Sequence, residues 1–327
     1  MSEQFKITQE ILEQVRQERS ENPRITYRQI SAKLFGTEDY ATVLKKSIMD
    51  SYREAEVAAQ SRVRRNILPP PYSGKVELPP QYKLKLADVT EVDTKSAIIL
   101  SDLHLPHVDR NLIEHIMEVS RVKNIETLVL AGDLLDGQFT GRHKNPEQYV
   151  ASATDELRYF QDYLMFFEQN FQEVVVMPGN HDEWVMDYFE CSFSDLVRFV
   201  APEAKLTISE YSYVFLNDNL VVGHLEEWNE VPGYLAWKIG TVHNRNALVG
   251  HDHIRGVYTE NKSNIWGASI GASLIPDNIY YKRAAFNSFP AIQCGYAELL
   301  DRSEVTLYAW DGQQAKPENI LTAKVLK

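Results

Sequence analysis

Five short apolar runs in this chain each end, on the carboxyl side, in Asp, Asn or His, and that recurrence limits its fold more than any other feature. SAIILSD leads into Asp102 and His104, TLVLAGD into Asp133 and Asp136, and VVVMPGN into Asn180, His181 and Asp182. NLVVGH ends in His224, and ALVGHDH ends in His251 and His253. Short apolar runs bounded by turn residues read as buried strands. Ligands gather at the carboxyl ends of such strands, because loops converge there while the sheet fixes their origins. The side chains are carboxylates, amides and imidazoles with no Cys beside them, which suits divalent Mn, Fe, Zn or Ni better than calcium or an iron–sulfur cluster. His104 stands two positions after Asp102, and His253 two after His251, so an extended backbone would turn each pair to one side and Asp252 away from it.

Helical stretches separate the first three runs, NLIEHIMEVSRV and then DELRYFQDYLMFFEQNF, giving a βαβαβ pattern. From Tyr211 onward closely spaced strands are expected in SYVFLN, NLVVGHL, ALVGHDH and RGVYTE, with AIQCGYAELL pairing EVTLYAW and one helix near YLAWKIGTV. The expected class is α/β: two packed mixed β-sheets flanked by helices over residues 96–327. A hydrophobic content of 44% is enough for such a core and rules out a disordered chain.

Upstream the character differs. A helical pattern from Ile7 to Arg19 stops at Asn22-Pro23, Thr26 stands as an N-cap before YRQISAKLF, and Gly36-Thr37 turns the chain into YATVLKKSIMDSYREAEVAAQ. Residues 1–65 therefore read as a small all-α module. It resembles bacterial helix-turn-helix modules at Thr26, Arg28, Ile30, Ala32, Leu34 and Ala41-Thr42-Val43, which implies contact with DNA or RNA through Arg24, Arg28, Lys33, Lys45 and Lys46. The competing reading is a helical hairpin used for homo-oligomeric assembly. Pro69, Pro70, Pro71, Pro79 and Pro80 mark residues 66–95 as a semi-rigid linker.

Charge is unevenly spread. Residues 1–66 hold 12 Lys or Arg against 10 Asp or Glu, and the remainder 22 against 36, so only the N-terminal part is suited to a phosphate backbone. Cys191 and Cys294 are too few for a disulfide scaffold, and MSEQFKITQE lacks a basic segment followed by an apolar one. No window reaches the roughly 18 apolar residues of a membrane helix. A cytoplasmic, soluble protein with no membrane partner is expected.

The ordered blocks resemble those of the calcineurin-like metallophosphoesterase superfamily: Asp102-Leu103-His104, Gly132-Asp133-Leu134-Leu135-Asp136, Gly179-Asn180-His181-Asp182, Gly223-His224 and Gly250-His251-Asp252-His253. The resemblance implies a four-layer αββα fold and two divalent metal ions, Mn first among them. It also implies hydrolysis of a P–O bond by a metal-activated water. It places Asp102, His104 and His253 on one ion and Asn180, His224 and His251 on the other. Asp133 is implied as the bridge, His181 as the general acid, and Asp136 as the carboxylate orienting the His181 imidazole, its competing role being a helix cap.

Departures from the family pattern narrow the substrate. Gly137 follows Asp136 where the protein Ser/Thr phosphatases carry a phosphate-binding Arg, and Asp182 stands where they have Glu. Gly-Asn-His-Asp resembles the phosphodiesterases and DNA-repair exonucleases, and Asp-Leu-His-Leu the nucleotide-lipid pyrophosphatases. A phosphodiester in nucleic acid is the first expectation. The alternatives are a phosphatase or pyrophosphatase acting on a nucleotide or other small phosphoester, and a DNA-binding regulator with an inactive phosphoesterase domain. His107, Arg142, His143 and Lys144 are further candidates at the mouth, and Trp228 and Trp237 as base-stacking rings or core.

Overall fold

The computed structural model describes residues 8–21, 25–37, 39, 41, 44, 46, 88–140, 152–261, 263–279 and 291–323. The chain divides into two units, Met1–Leu84 and Lys85–Lys327. In the first, helix α1 is Gln9–Glu21 and α2 is Tyr27–Phe35. Thr26 opens α2 with a capping box: its Oγ1 accepts the Gln29 N–H at 3.3 Å, while Gln29 Oε1 accepts the Thr26 N–H at 2.9 Å. Gly36 ends the helix at φ 71°, a left-handed turn that a residue with a Cβ resists. Leu12, Val15, Ile30 and Leu44 form the unit's buried cluster. Arg24, Thr42, Val43, Lys45, most of the following helical run and linker residues 66–87 lie outside the described residues.

The second unit is built on two mixed sheets. One is ordered β1-β6-β7-β8-β10-β9, the other β13-β12-β11-β2-β3-β4-β5. The strands are β1 (Glu91–Val92), β2 (Ala97–Leu100), β3 (Thr127–Ala131), β4 (Glu173–Met177), β5 (Thr207–Ile208), β6 (Tyr213–Leu216) and β7 (Leu220–His224). They continue with β8 (Asn246–Gly250), β9 (Arg255–Thr259), β10 (Trp266–Ile270), β11 (Cys294–Leu300), β12 (Glu304–Trp310) and β13 (Ala315–Thr322).

Alternation along the strands sets the layers. Ala97, Ile99, Val129, Ala131, Val175 and Met177 face the other sheet, where Val214, Leu216, Leu220, Val222 and Leu248 meet them. The intervening Ile98, Leu100, Leu128, Leu130, Val174 and Val176 face outward onto helices α3 (Arg110–Lys123) and α4 (Ala153–Glu168), through Leu112, Ile116, Phe160, Leu164 and Phe167. Helices α5 (Asn180–Phe189) and α6 (Phe193–Val200) join that cluster through Val185, Phe193 and Leu196. On the far side Val221, Ala247 and Val249 pack on Ala236 of α7 (Tyr234–His243). Each fully buried aliphatic side chain contributes roughly 1.5–3 kcal/mol, so strands covered on both faces hold the frame rigidly. The architecture is the α/β arrangement of two packed mixed sheets with helices outside.

Several elements depart from the sequence reading, which named neither β5 nor helices α5 and α6. Glu91–Val92 falls inside the stretch assigned to the linker, yet it pairs in parallel with β6 and buries Val92. Strands β10 and β13 were not anticipated. In β10, small residues lie beneath α7, and a Cβ on Gly267 would collide with the Trp237 backbone nitrogen. β13 is an edge strand whose mostly exposed residues, with Pro317 among them, give no apolar run.

Candidate metal centre

Strands β2, β3 and β4 run parallel, as do β7 and β8, so the residues after them emerge at the carboxyl ends of their sheets. The loops then leave the sheets abruptly. Asp102, His104, Asp133, His251 and His253 all have positive φ, at 56°, 44°, 50°, 99° and 54°. The backbone at Asp102/His104 and His251/His253 is therefore not the extended one that the two-residue spacing suggested. The pairs converge because left-handed turns fold them inward, a strained conformation that clusters at functional sites. Asp252 does turn away, its Oδ2 accepting the Ser269 hydroxyl at 2.8 Å.

Close loop packing explains two motif glycines. A Cβ on Gly179 would run into the Asp133 backbone nitrogen and carboxylate, and one on Gly250 would meet the Ser101 hydroxyl. Asp182, the third residue of α5, was given no role by its sequence position. Fully buried, it accepts the N–H groups of Leu134 at 3.1 Å, Leu135 at 2.9 Å and Gly179 at 2.8 Å, binding the loop after β3 to the loop after β4. Burial, with the Asp133 charge added, nevertheless pushes its carboxyl up to about 6.

Donor atoms gather in two groups. In one, His253 Nε2 lies 3.0 Å from Asp102 Oδ1 and 3.2 Å from His104 Nε2. In the other, Asn180 Oδ1 lies 3.2 Å from His224 Nε2 and 2.8 Å from His251 Nδ1. Asp133 stands between them: its Oδ2 is 3.6 Å from His104 Nε2 and 3.2 Å from His224 Nε2. Its Oδ1 accepts the His181 N–H at 2.8 Å.

The second nitrogens fix the ring tautomers. His104 Nδ1 faces Asp136 Oδ1 at 3.0 Å and His224 Nδ1 faces the Ala131 carbonyl at 2.9 Å. Both partners only accept, so both Nδ1 atoms donate, and each ring turns its Nε2 inward, where a cation can replace any proton it carries. Carboxylate oxygens, an amide oxygen and imidazole lone pairs pointing at one another form a set that a cation satisfies. Asp102–His104–His253 and Asp133–His224–His251 each have ligand atoms close enough to share one ion.

Charge behaviour agrees with that reading. Burial opposes ionisation of Asp102 and Asp133, but His253 holds the first, and His224 with His181 the second, below the usual carboxylate range. Asp136 is likewise held low against burial by His104 and His107. His224 is pushed up to about 10, the Asp133 carboxylate overcoming its burial, whereas burial beside His224 brings His251 down to about 4. Buried carboxylates crowded together demand positive charge, from histidine protons or from a metal.

The route from Asp136 to His181 differs from expectation. The Asp136 carboxylate reaches His104 and lies 3.7 Å from His107 Nε2; it is the Asp136 carbonyl oxygen that accepts His181 Nδ1–H at 2.7 Å. His181 packs edge-on to His104 with ring centroids 4.5 Å apart, and burial lowers its pKa against the pull of Asp133. His107 is buried beside Asp136 instead of standing at a mouth. Arg142, His143 and Lys144 lie outside the described residues. Trp237 packs against Tyr234 and Tyr258, and Trp228 is 36% exposed. Glu156 of α4 was missed altogether: it is buried, and its Oε1 accepts the Gly137 N–H at 2.6 Å. Among the described residues no helix is long and apolar enough to cross a membrane.

Residues 96–278 match the family model described as calcineurin-like phosphoesterase. No curated protein matches the chain. Among solved structures it is similar to vacuolar protein sorting 29 from Cryptosporidium parvum, at 16% identity and TM-score 0.42, covering 70% of this chain and 98% of that one. Wild-type Vps29 complexed with zinc from Entamoeba histolytica is similar at 13% identity and TM-score 0.37, over 70% of this chain and 99% of that one. Purple acid phosphatase PPD1 from yellow lupin is similar at 9% identity and TM-score 0.37, over 72% and 54%.

Proposed function

The chain belongs to the calcineurin-like phosphoesterase family and is a metal-dependent phosphoester hydrolase, and from that premise we propose that it cleaves phosphodiesters in nucleic acid at the centre around Asp133. The observation that carries the assignment is the single Asp133 oxygen placed toward His104 from one donor group and toward His224 from the other. In this reading Asp102, His104 and His253 hold one divalent ion and Asn180, His224 and His251 the second, with Asp133 shared. Manganese is the first choice and iron, zinc or nickel the alternatives. Bound ions supply an activated water and neutralise charge on the phosphoryl oxygens.

The chain's own groups do the rest. His181 is the general acid, because its Nδ1–H is committed to the Asp136 carbonyl and its Nε2 is left to carry a proton toward a leaving oxygen. The Asp136 carboxylate acts through His104, fixing the tautomer that turns Nε2 inward. Asp182 and Glu156 hold the two loops in register from behind. Gly137, where the protein phosphatases carry an Arg, supports a diester over a phosphoprotein. The helical module of residues 1–65 supports delivery to DNA or RNA.

A second reading, hydrolysis of a nucleotide or other small phosphoester in the cytoplasm with the helical module used for homo-oligomeric assembly, is favoured by the acidic excess outside residues 1–66. The test is hydrolysis of bis-p-nitrophenyl phosphate against p-nitrophenyl phosphate by the Mn-loaded full chain, with a gel shift of the same protein on DNA and RNA at two salt concentrations. Turnover of the monoester alone removes the diester reading. The absence of salt-sensitive binding removes delivery to nucleic acid.

A further inference from the structure

Helix α5 begins with Asn180 and His181 at the metal centre and carries aromatic rings away from it. Trp184 and Tyr188 follow Asn180 at i+4 and i+8, which places them on one stripe about 6 and 12 Å along the axis. The Trp184 ring lies over the His181 imidazole, with centroids 4.0 Å apart and planes at 35°. Two turns out, Tyr188 meets Phe139 edge-on at 5.5 Å, and Phe189 adjoins both. Phe139 is three residues beyond Asp136, in the short 3-10 turn Gln138–Thr140, so it is anchored to the same loop as the metal centre.

The outer rings, Tyr188 and Phe189, are not spent on a core, whereas Phe139 is half-buried against the interior cluster and Trp184 is half-buried over His181. Tyr188 is 57% and Phe189 44% exposed, although helix α5 buries Val185 completely on its inner side. Exposed rings backed by half-buried ones beside a reaction centre mark a contact surface. Its chemistry favours a flat partner. Exposed rings present π faces and edges that stack on any nucleobase, whereas Glu183 and Asp187 on the same helix repel further phosphates.

We propose that Trp184, Tyr188 and Phe139 form a stacking platform for the base of a nucleotide unit whose phosphoryl group lies at the Asp133 centre. The proposal rests on the phosphoester reading above and adds to it the side of the scissile bond on which the base lies.

The test is a binding measurement. Thymidine 5′-monophosphate and methyl phosphate, which share the phosphoryl group and differ in the nucleoside, are each titrated calorimetrically into the Mn-loaded full chain. The nucleotide binds more tightly, and Tyr188→Ala reduces that preference by about 5- to 100-fold, while Tyr188→Phe keeps it. Phe139→Ala lowers it in the same direction. A nucleotide that binds no better than methyl phosphate, or a preference untouched by Tyr188→Ala, overturns the platform. A retained preference in a protein that hydrolyses no diester leaves the platform standing and removes the diesterase reading instead.

Discussion

Glu156→Gln should stabilise the metal-free protein over its parent by a margin that grows as pH rises. Glu156 is 2% exposed, its Oε1 takes the Gly137 N–H at 2.6 Å, and the Asp136 and Asp182 carboxyls lie close by. Burial first, and those two charges second, push its carboxyl from 4.5 up to about 8. The folded state therefore holds a proton that the unfolded chain has released between those values. Stability from this group is complete below about pH 4.5 and is lost as pH rises through 8, at about 1.4 kcal/mol per pH unit and about 5 kcal/mol in all. Glutamine keeps an oxygen for the Gly137 N–H and cannot ionise, so it removes the slope. Urea unfolding in chelator at pH 5, 6, 7 and 8 measures this. Tryptophan emission isolates the second unit, since Trp184, Trp228, Trp237, Trp266 and Trp310 all lie within it. The free-energy difference between variant and parent should widen in favour of Gln by several kcal/mol across the range. A difference that is flat, or that narrows, refutes the assignment of Glu156 as a buried, protonated clamp.

Other variants separate holding metal from using it. Asp133→Ala should lose metal from both groups by elemental analysis, because one carboxylate faces both. His181→Ala should retain its metal and lose roughly 10²- to 10⁴-fold in turnover, the range for a missing general acid; equal metal loss in the two variants contradicts the role given to His181. Asp182→Ala strands three buried N–H groups, each costing about 1–3 kcal/mol, so its urea midpoint should fall by an amount worth about 3 kcal/mol or more. An unchanged midpoint would show that those donors find other partners.

Much of the centre was legible because its chemistry needs particular atoms at strand ends, and the blocks at Asp102, Asp133, Asn180, His224 and His251 carry those atoms in the sequence itself. What could not be read were directions. Asp136 was recognised as a carboxylate near the site, but which imidazole it reaches depends on the loop crossing that pairs Leu105 with Leu135 and sets His104 against it. Asp182 stood in a recognised block without a ligand role and Glu156 looked like an ordinary helix residue, since the backbone N–H groups of Leu134, Leu135 and Gly137 that they accept come from another segment. Strand β10 escaped notice because its small residues answer to the helix lying over them, and β13 because an edge strand needs no apolar alternation. The aromatic stripe on α5 had a readable spacing, but only the exposure of Tyr188 distinguishes it from a core face.

The left-handed residues bear on what determines the site's shape. Asp, Asn and His tolerate that backbone region better than branched residues do, yet each instance still costs on the order of 1 kcal/mol. Five such residues in two pairs and a singleton can persist only if contacts elsewhere over-determine them. Those contacts are visible: Asp182 across two loops, Glu156 on Gly137, and the His251 N–H on Asp102 Oδ2 at 3.0 Å. They come from helices α4 and α5 and from the loops after β2, β3 and β8, each of which starts on a buried strand. Loop geometry at the site is thus set by contacts among the chain's own groups. Beside these contacts stand two kinds of buried acid: burial raises Asp182 to about 6, Asp252 to about 7 and Glu156 to about 8, while neighbouring histidines hold Asp102, Asp133 and Asp136 low. Glu156 can stay protonated at neutral pH and brace Gly137, while the low set stays ionised among the imidazoles of the proposed metal centre.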